Sequence, residues 1–199
     1  DGSVGVVVAD VSGKGVPAAL FMAISQSLLR ATVGQTLDPA QALTTLNDLL
    51  VESNREELFV TLFYGVIDPK SGVMTYANAG HNPPILLRGG KADYVPVTGD
   101  LALAIIDGVD YERAEIALQD GDRLFLYTDG VTEAMNAADE EYTDERTIAL
   151  IGSLAGASDD AFLDAVVADV DHFVADAPQA DDITTMFVRY ARDARESGA

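Results

Sequence analysis

The sequence predicts an α+β fold: an antiparallel β-sandwich flanked by helices, with an αββα order of layers. Two observations predict this class. The β-prone runs follow one another through short turns, as in hairpins, and the helical runs stand in separate blocks before and after them. A parallel doubly wound sheet would instead alternate strand and helix along the chain. At 199 residues and 48% hydrophobic composition, the chain suits one globular domain with a substantial core.

The first elements predicted are a strand and a helix. Val4–Ala9 is an apolar strand-like run, and Asp10 follows it in a glycine-rich turn. Val16–Val33 predicts a helix, with Pro17 in its first turn, where proline is favoured. The first half of this helix is apolar nearly all round. We therefore expect the helix either to be deeply buried or to present one face to a partner.

A second helix is predicted to begin after Asp38. Asp38 is a good N-cap residue, Pro39 suits the first helical position, and Gln41 completes the pattern of a capping box. The apolar stripe of this helix continues to the neighbourhood of Asn54.

Three hairpins are predicted in the middle of the chain. Each joins two β-prone runs through a short turn rich in Gly, Asp or Pro. The pairs are Leu58–Ile67 with Val73–Ala79, Ile85–Arg88 with Ala92–Pro96, and Glu112–Leu118 with Arg123–Tyr127.

The last third predicts two helices, Thr143–Leu154 and Asp159–Ala175, and a final strand, Ile183–Tyr190. We expect one domain over residues 1–191 and a polar, frayed tail over residues 192–199.

The composition narrows the classes of function. A formal net charge of −21 disfavours nucleic acid as a partner, because phosphate contacts require clustered Lys and Arg. The absence of cysteine excludes disulfides and thiolate metal sites, and two histidines leave little room for a histidine-rich zinc site. No apolar run is expected to approach the roughly 18 residues that span a bilayer. The start of the chain lacks the features of a signal peptide.

Acidic residues at strand ends are the most informative feature. Asp10 follows the first strand, Asp129 follows the run that ends at Tyr127, and Asp181 and Asp182 precede the last strand. Carboxylates from different strands suit a hard divalent cation such as Mg²⁺ or Mn²⁺. Two such ions held close together activate a water molecule for attack on phosphorus. This pattern favours a metal-dependent hydrolase.

Each acidic turn also has an ordinary structural interpretation. Asp129-Gly130 is a common turn sequence, and Asp181-Asp182 suits the solvated start of a strand. His81 is expected to organise its loop by hydrogen bonds rather than to shuttle protons, and His172 to be a surface residue of a helix. The chain contains neither a P-loop nor a Gly-x-Ser-x-Gly elbow.

Four motifs in order resemble the SpoIIE-type bacterial phosphatases, which belong to the metal-dependent (type 2C) serine/threonine protein phosphatases. The motifs are Asp10–Gly15, Ala79–Pro84, Gly121–Ala134 and Asp181–Thr184. The resemblance covers nearly the whole chain. It implies a central β-sandwich with two Mn²⁺ or Mg²⁺ ions at one end.

The resemblance also implies roles for individual residues. Asp10 resembles the ligand that bridges the two ions, and the carbonyl of Val11 resembles a backbone ligand of one of them. Asp129 and Asp181 resemble ligands of the other ion, and Asp182 resembles a residue that orients water. Asp10, Asp129, Asp181 and Asp182 are therefore the expected catalytic set.

The implied substrate is phosphoserine or phosphothreonine on an anti-sigma-factor antagonist, in a cytoplasmic partner-switching pathway without membrane insertion. The resemblance also allows a homodimer. Family members begin with an additional strand that carries acidic residues, and this chain is expected to lack it. A phosphatase-fold binding module with impaired catalysis is therefore the alternative hypothesis, and a phosphatase of small molecules is a third.

Overall fold

Two antiparallel sheets of four strands each carry the fold, together with helices in separate blocks. The structure is a computed structural model, and it describes residues 2–99, 101–179 and 181–192. This arrangement confirms the predicted α+β class. The elements are β1 (Val4–Val11), α1 (Val16–Val33), α2 (Pro39–Ser53), β2 (Val60–Ile67), β3 (Val73–Ala79), β4 (Ile85–Arg88), β5 (Lys91–Tyr94), β6 (Ala114–Ala117), β7 (Arg123–Tyr127), α3 (Asp144–Ser153), a 3₁₀ turn (Leu154–Gly156), α4 (Asp159–Val174) and β8 (Thr185–Arg189).

The chain divides into two compact units. The first unit comprises Asp1–His81 and Pro96–Leu118, and its sheet has the strand order β1-β2-β3-β6. Helices α1 and α2 pack on one face of this sheet. Their fully buried contacts include Leu43, Leu46 and Leu50 of α2 against Leu62 and Ala77 of the sheet.

Side chains of β1 alternate between the two faces of the first sheet. Val7, Ala9 and Val11 belong to the core beneath the helices. Because successive side chains of a strand point to opposite faces, Val8 and Asp10 lie on the face away from α1 and α2. This alternation places the first acidic residue on the side of the sheet that these helices do not cover.

The second unit comprises Asn82–Val95 and Gln119–Ala199, and its sheet has the order β5-β4-β7-β8. Helices α3 and α4 contribute to its core. Among the fully or almost fully buried members are Ile85 and Phe125 of the sheet, Ile151 of α3, and Phe162 and Val166 of α4.

The third predicted hairpin is wrong. The second half of the pair, β7, lies between β4 and β8, whereas β6 is the last strand of the first sheet and pairs with β3. The intervening turn explains the change of sheet. The backbone N–H of Leu118 donates to the carbonyl of Gly72 at 2.8 Å, so the chain stays beside β3 until residue 118. The side chain of Asp122 then accepts from the N–H of Gln119 at 2.7 Å and closes a local turn.

The predicted capping box at α2 is also wrong in part. Asp38 does cap the helix, since its side chain accepts from the N–H groups of Ala40 and Gln41. The side chain of Gln41, however, accepts from the hydroxyl of Thr36, and that hydroxyl in turn accepts from the N–H of Asp38. In a capping box, the side chain of Gln41 would accept from the N–H of Asp38, whereas here the hydroxyl of Thr36 accepts that bond.

The helix boundaries follow the sequence closely, and the strand boundaries less so. Helix α1 has the predicted limits, and α2 ends at Ser53, one residue before Asn54. Strand β1 continues to Val11, so Asp10 lies within the strand and not in the turn after it. Of the predicted tail, residues 193–199 lie outside the described residues.

Helix α1 corrects one expectation from composition. In the described part of the chain, it is the one helix long and apolar enough to cross a membrane by length and composition. A helix in the core of a globular protein passes the same test. Phe21 and Leu29 lie in the core of the first unit, whereas Val16 and Leu20 are 70% and 61% exposed. The helix is therefore not deeply buried: one face lies in the core of the first unit, and the other is exposed.

Candidate metal centre

The first acidic residue is held in a regular strand pairing. Asp10 lies directly opposite Thr61 in the antiparallel pairing of β1 with β2. The pairing continues past Val11, because the N–H of Ser12 donates to the carbonyl of Phe59 at 2.9 Å and the hydroxyl of Ser12 accepts from the N–H of Phe59 at 2.8 Å. The backbone of Asp10 and Val11 is thus held by strand pairing before these residues and by the bonds of Ser12 to Phe59 after them.

The second acidic segment is joined to the third by Thr128, the residue between β7 and Asp129. The hydroxyl of Thr128 donates to the carbonyl of Asp182 at 3.1 Å and accepts from the N–H of Thr184 at 3.0 Å. The N–H of Thr128 donates to the carbonyl of Thr184 at 3.1 Å. Thr128 is buried. These three bonds bring two acidic turns, 54 residues apart in sequence, into contact.

Gly130 permits the same contact on the other side of Asp129. A Cβ atom at this position would lie 2.4 Å from the carbonyl oxygen of Asp182, which is far inside van der Waals contact. Only glycine therefore allows the backbone of Asp182 to lie against this turn. The Asp-Gly pair is more than an ordinary turn signal, because the absence of a side chain is required by a distant segment.

Sequence reasoning missed Glu133 as a member of this acidic group. The N–H of Glu133 donates to the carbonyl of Asp129 at 2.8 Å, which makes one helical turn between the two residues. Partial burial, and then the negative charges of Asp129, Glu141 and Asp181, raise the pKa of the Glu133 carboxyl above its ordinary value. The i to i+4 spacing from Asp129 is the signal that would have found it.

Asp181 and Asp182 are both exposed beside the turn of Asp129. The carboxylate of Asp181 accepts from the N–H of Asp182 at 2.7 Å, and its charge contributes to the raised pKa of Glu133. The structure therefore brings Asp129 and Asp181 together, with Glu133, inside the second unit. Asp10 and Val11 belong to the first unit.

The chemistry of these donors fits a hard divalent cation. Every side-chain donor in the group is a carboxylate oxygen, the ligand type that Mg²⁺ and Mn²⁺ prefer. A bound cation would relieve the repulsion between the carboxylate of Glu133 and those of Asp129 and Asp181. Over residues 2–99, 101–179 and 181–192, no group of three or more His, Asp or Glu side chains is already arranged around one metal position.

The histidines take the places expected of them. His172 is exposed on α4. His81 is buried in the loop after β3, where its N–H donates to the side chain of Asn78 at 2.8 Å and its Nδ1 lies 2.9 Å from the hydroxyl of Thr61.

Comparison with protein families identifies a match over almost the whole chain. The family model for stage II sporulation protein E (SpoIIE) matches residues 1–191. Phosphoserine phosphatase RsbU of Bacillus subtilis is 32% identical over 132 residues, which cover 66% of this chain and 39% of that protein. The chain thus corresponds to well under half of this relative.

Solved structures share the fold. The RsbU and RsbW domains of Rv1364c from Mycobacterium tuberculosis match with a TM-score of 0.78 and 29% identity, over 96% of this chain and 52% of that one. The catalytic domain of the serine threonine protein phosphatase PstP, solved in complex with two manganese ions, matches with a TM-score of 0.67 and 12% identity, over 94% of this chain and 87% of that one.

Proposed function

This chain belongs to the SpoIIE family of PP2C-type phosphatases, and from this premise we propose that it is a metal-dependent phosphatase of phosphoserine or phosphothreonine in a protein. The observation that carries the proposal is the joining of the Asp129 and Asp181 segments by Thr128 and Gly130. A turn that merely reverses the chain does not require glycine to accommodate a segment more than 50 residues away. Here the contact holds the Asp181-Asp182 segment beside Asp129, so that carboxylates from two distant segments lie near one another.

The proposed ligands are those of the type 2C pattern. Asp129 and Asp181 would hold one ion, the carbonyl of Val11 the other, and Asp10 both. The chemistry that the ions supply when bound is activation of a water molecule and neutralisation of charge on the phosphoryl group. A cysteine nucleophile is excluded, since the chain contains no cysteine.

The residues of the chain supply position and charge. The hydrogen bonds of Thr128 fix the position of the backbone at Asp129 relative to that at Asp182. Asp182, whose backbone lies against Gly130, is proposed to orient the attacking water by accepting a hydrogen bond from it. Glu133 adds negative potential beside Asp129 and Asp181, which favours a cation there.

The proposed substrate is a phosphorylated anti-sigma-factor antagonist. The relatives support this choice by their names, since one is the phosphoserine phosphatase RsbU and one structure contains RsbU and RsbW domains. Removal of phosphate would let the antagonist capture its anti-sigma kinase. We place this activity in the cytoplasm and propose that the chain acts as a monomer or homodimer without inserting into a membrane.

A binding module with impaired catalysis is the second candidate. It is favoured by the absence, among the described residues, of three metal-ligating side chains already arranged around one point. Such a module would dock a phosphoprotein and would bind Mn²⁺ weakly or not at all.

Phosphate release from a phosphoserine peptide, with and without Mn²⁺, distinguishes the candidates. For the enzyme, Asp129→Ala and Asp10→Ala should each lower the Mn²⁺-dependent rate by more than about 100-fold, the upper range for residues that only support metal ligands. Asp171→Ala, an exposed position on α4, is the matched control and should retain the parent rate. Unchanged turnover in both active-site variants would contradict the enzyme hypothesis. A preference for nucleotides or sugar phosphates would favour a phosphatase of small molecules.

A further inference from the structure

Three neighbouring strands bring Asp10, Thr61 and His81 to one end of the first sheet. Asp10 and Thr61 are directly opposite each other on β1 and β2, so their side chains lie on the same face. Leu62 is opposite Ala79, the last residue of β3, and His81 therefore follows just beyond the strand that flanks Thr61. Thr61 stands between a proposed metal ligand and a buried histidine.

His81 is held by its backbone as well as by its ring. The side chain of Asn78 accepts from the N–H of His81 and donates to its carbonyl, both at 2.8 Å. Asn78 is only 2% exposed, and its own N–H donates to the hydroxyl of Thr98 at 2.8 Å. None of these three hydrogen bonds involves the imidazole ring.

The contact between the ring and Thr61 therefore requires a separate explanation. Nδ1 of His81 lies 2.9 Å from the hydroxyl of Thr61, and the histidine is 4% exposed. Burying a polar ring is costly unless it is hydrogen-bonded, and an apolar residue would fill the same space at lower cost. The bond orients the hydroxyl of Thr61, which is the residue directly opposite Asp10 on β2.

We infer that Thr61 and His81 are positioning residues for the proposed metal site, with His81 fixing Thr61 and Thr61 fixing the end of β1 that carries Asp10. The inference rests on the proposed function, since it assigns the pair a role only through Asp10. Neither residue is proposed to touch the substrate or to exchange a proton with it.

Calorimetric titration of the full chain with Mn²⁺ tests the inference, with the melting temperature of the metal-free protein measured alongside. Thr61→Val keeps the shape of the side chain and removes the hydroxyl. It should weaken Mn²⁺ binding by roughly 10- to 100-fold, the range for residues that orient metal ligands. Thr61→Ser, which restores the hydroxyl, should bind within about twofold of the parent.

A matched control separates positioning from packing. Thr75→Val makes the same change on β3, near the Val73 end of the strand, and should leave Mn²⁺ affinity unchanged. A purely structural role for Thr61 predicts a lower melting temperature with unaltered Mn²⁺ affinity. That result would overturn the inference.

Two substitutions of the histidine keep the test decisive if Thr61→Val does not fold. Asparagine can place an amide near the position of Nδ1, whereas glutamine reaches toward that of Nε2. His81→Asn should therefore retain more Mn²⁺ affinity than His81→Gln, and equal affinities would contradict the inference.

Measurements on the parent chain and on Asp10→Ala distinguish a failure of this inference from a failure of the proposed metal site. If the parent binds Mn²⁺ and Asp10→Ala does not, but Thr61→Val matches the parent, the inference alone is wrong. If the parent binds no Mn²⁺, or Asp10→Ala binds it as the parent does, the proposed metal site is wrong and the inference falls with it.

Discussion

Gly130 is the position at which a single methyl group should matter most. Because a Cβ atom there would lie 2.4 Å from the carbonyl of Asp182, Gly130→Ala must push two backbone segments apart. We expect a loss of about 1–3 kcal/mol in the free energy of unfolding, the usual cost of overpacking, and weaker Mn²⁺ binding. Urea denaturation and calorimetry measure the two effects.

Gly156→Ala is the control for this substitution. Gly156 ends the 3₁₀ turn, and a Cβ atom there meets no atom within 4 Å. Its replacement should leave stability unchanged or raise it by up to about 1 kcal/mol. Equal losses in the two variants would show that Gly130 is not a special contact.

The substitution Glu133→Gln should stabilise the metal-free protein and weaken its binding of Mn²⁺. Its raised pKa shows that the ionised carboxylate is disfavoured by burial and by the charges of Asp129, Glu141 and Asp181. Glu133→Gln removes that repulsion at neutral pH, so the metal-free melting temperature should rise, whereas Mn²⁺ affinity should fall. A melting temperature lowered in the absence of metal would contradict this account.

The site could be predicted in part from the sequence. A carboxylate beside a strand is visible in the primary structure, and the prediction of Asp10, Asp129 and Asp181 as metal ligands depends on this pattern. The role of Thr128 was not visible, because its partners, Asp182 and Thr184, lie more than 50 residues away. Nothing in the local sequence says which distant carbonyl a buried hydroxyl will meet.

At the scale of elements, an ion pair ties β4 to the turn before β7. Asp122 is 3% exposed and accepts from Nε of Arg88 at 3.0 and 2.9 Å. Arg88→Ala would leave this carboxylate buried without its partner. We expect a loss of about 3 kcal/mol, at the lower end of the range for a broken buried pair, because the side chain of Arg88 is 34% exposed.

Arg113→Ala provides the comparison by the same denaturation measurement. Its partner is Asp38, and both side chains are substantially exposed, at 54% and 34%. An ion pair of this kind contributes about 0–1 kcal/mol. A larger loss from Arg113→Ala than from Arg88→Ala would reverse our assignment of which pair supports the fold.

The two faces of α1 should respond differently to truncation. Phe21 is 6% exposed and belongs to the core of the first unit, so Phe21→Ala should cost about 3–5 kcal/mol in the free energy of unfolding. Leu20 is 61% exposed, and Leu20→Ala should change stability by no more than about 0.5 kcal/mol. Similar losses in the two variants would mean that Leu20 is covered in the protein in solution.

Helices were easier to predict than strand partners for a physical reason. The hydrogen bonds of α1 and α2 lie within the segment, so Pro17, Asp38 and the apolar spacing nearly suffice to place them. A strand finds its partners elsewhere in the chain. Strands β6 and β7 are neighbours in sequence with a good turn between them, yet β6 pairs with β3 in one sheet and β7 pairs with β4 and β8 in the other.

At the scale of the whole molecule, the charge of −21 should make stability depend on salt. Like charges on a folded chain repel one another, and ions screen this repulsion over a Debye length that falls from about 30 Å at 0.01 M to about 8 Å at 0.15 M. We expect the metal-free melting temperature to rise on adding KCl over this range, as measured by circular dichroism. A fall would mean that attractive ion pairs outweigh the net charge.

The hydrogen bonds of Thr128 have a consequence for protein synthesis. Their partners, Asp182 and Thr184, are translated more than 50 residues after Thr128, just before β8. The ribosome must therefore add more than 50 residues after Thr128 before Asp182 exists. Chain elongation proceeds at about 5–20 residues per second. Over that interval, the turn that contains Asp129 lacks its contact with the Asp181-Asp182 segment. Until Asp181 has been added, just before β8, the proposed metal site lacks its carboxylate, so we expect a nascent chain that stops before this residue to bind no Mn²⁺ there.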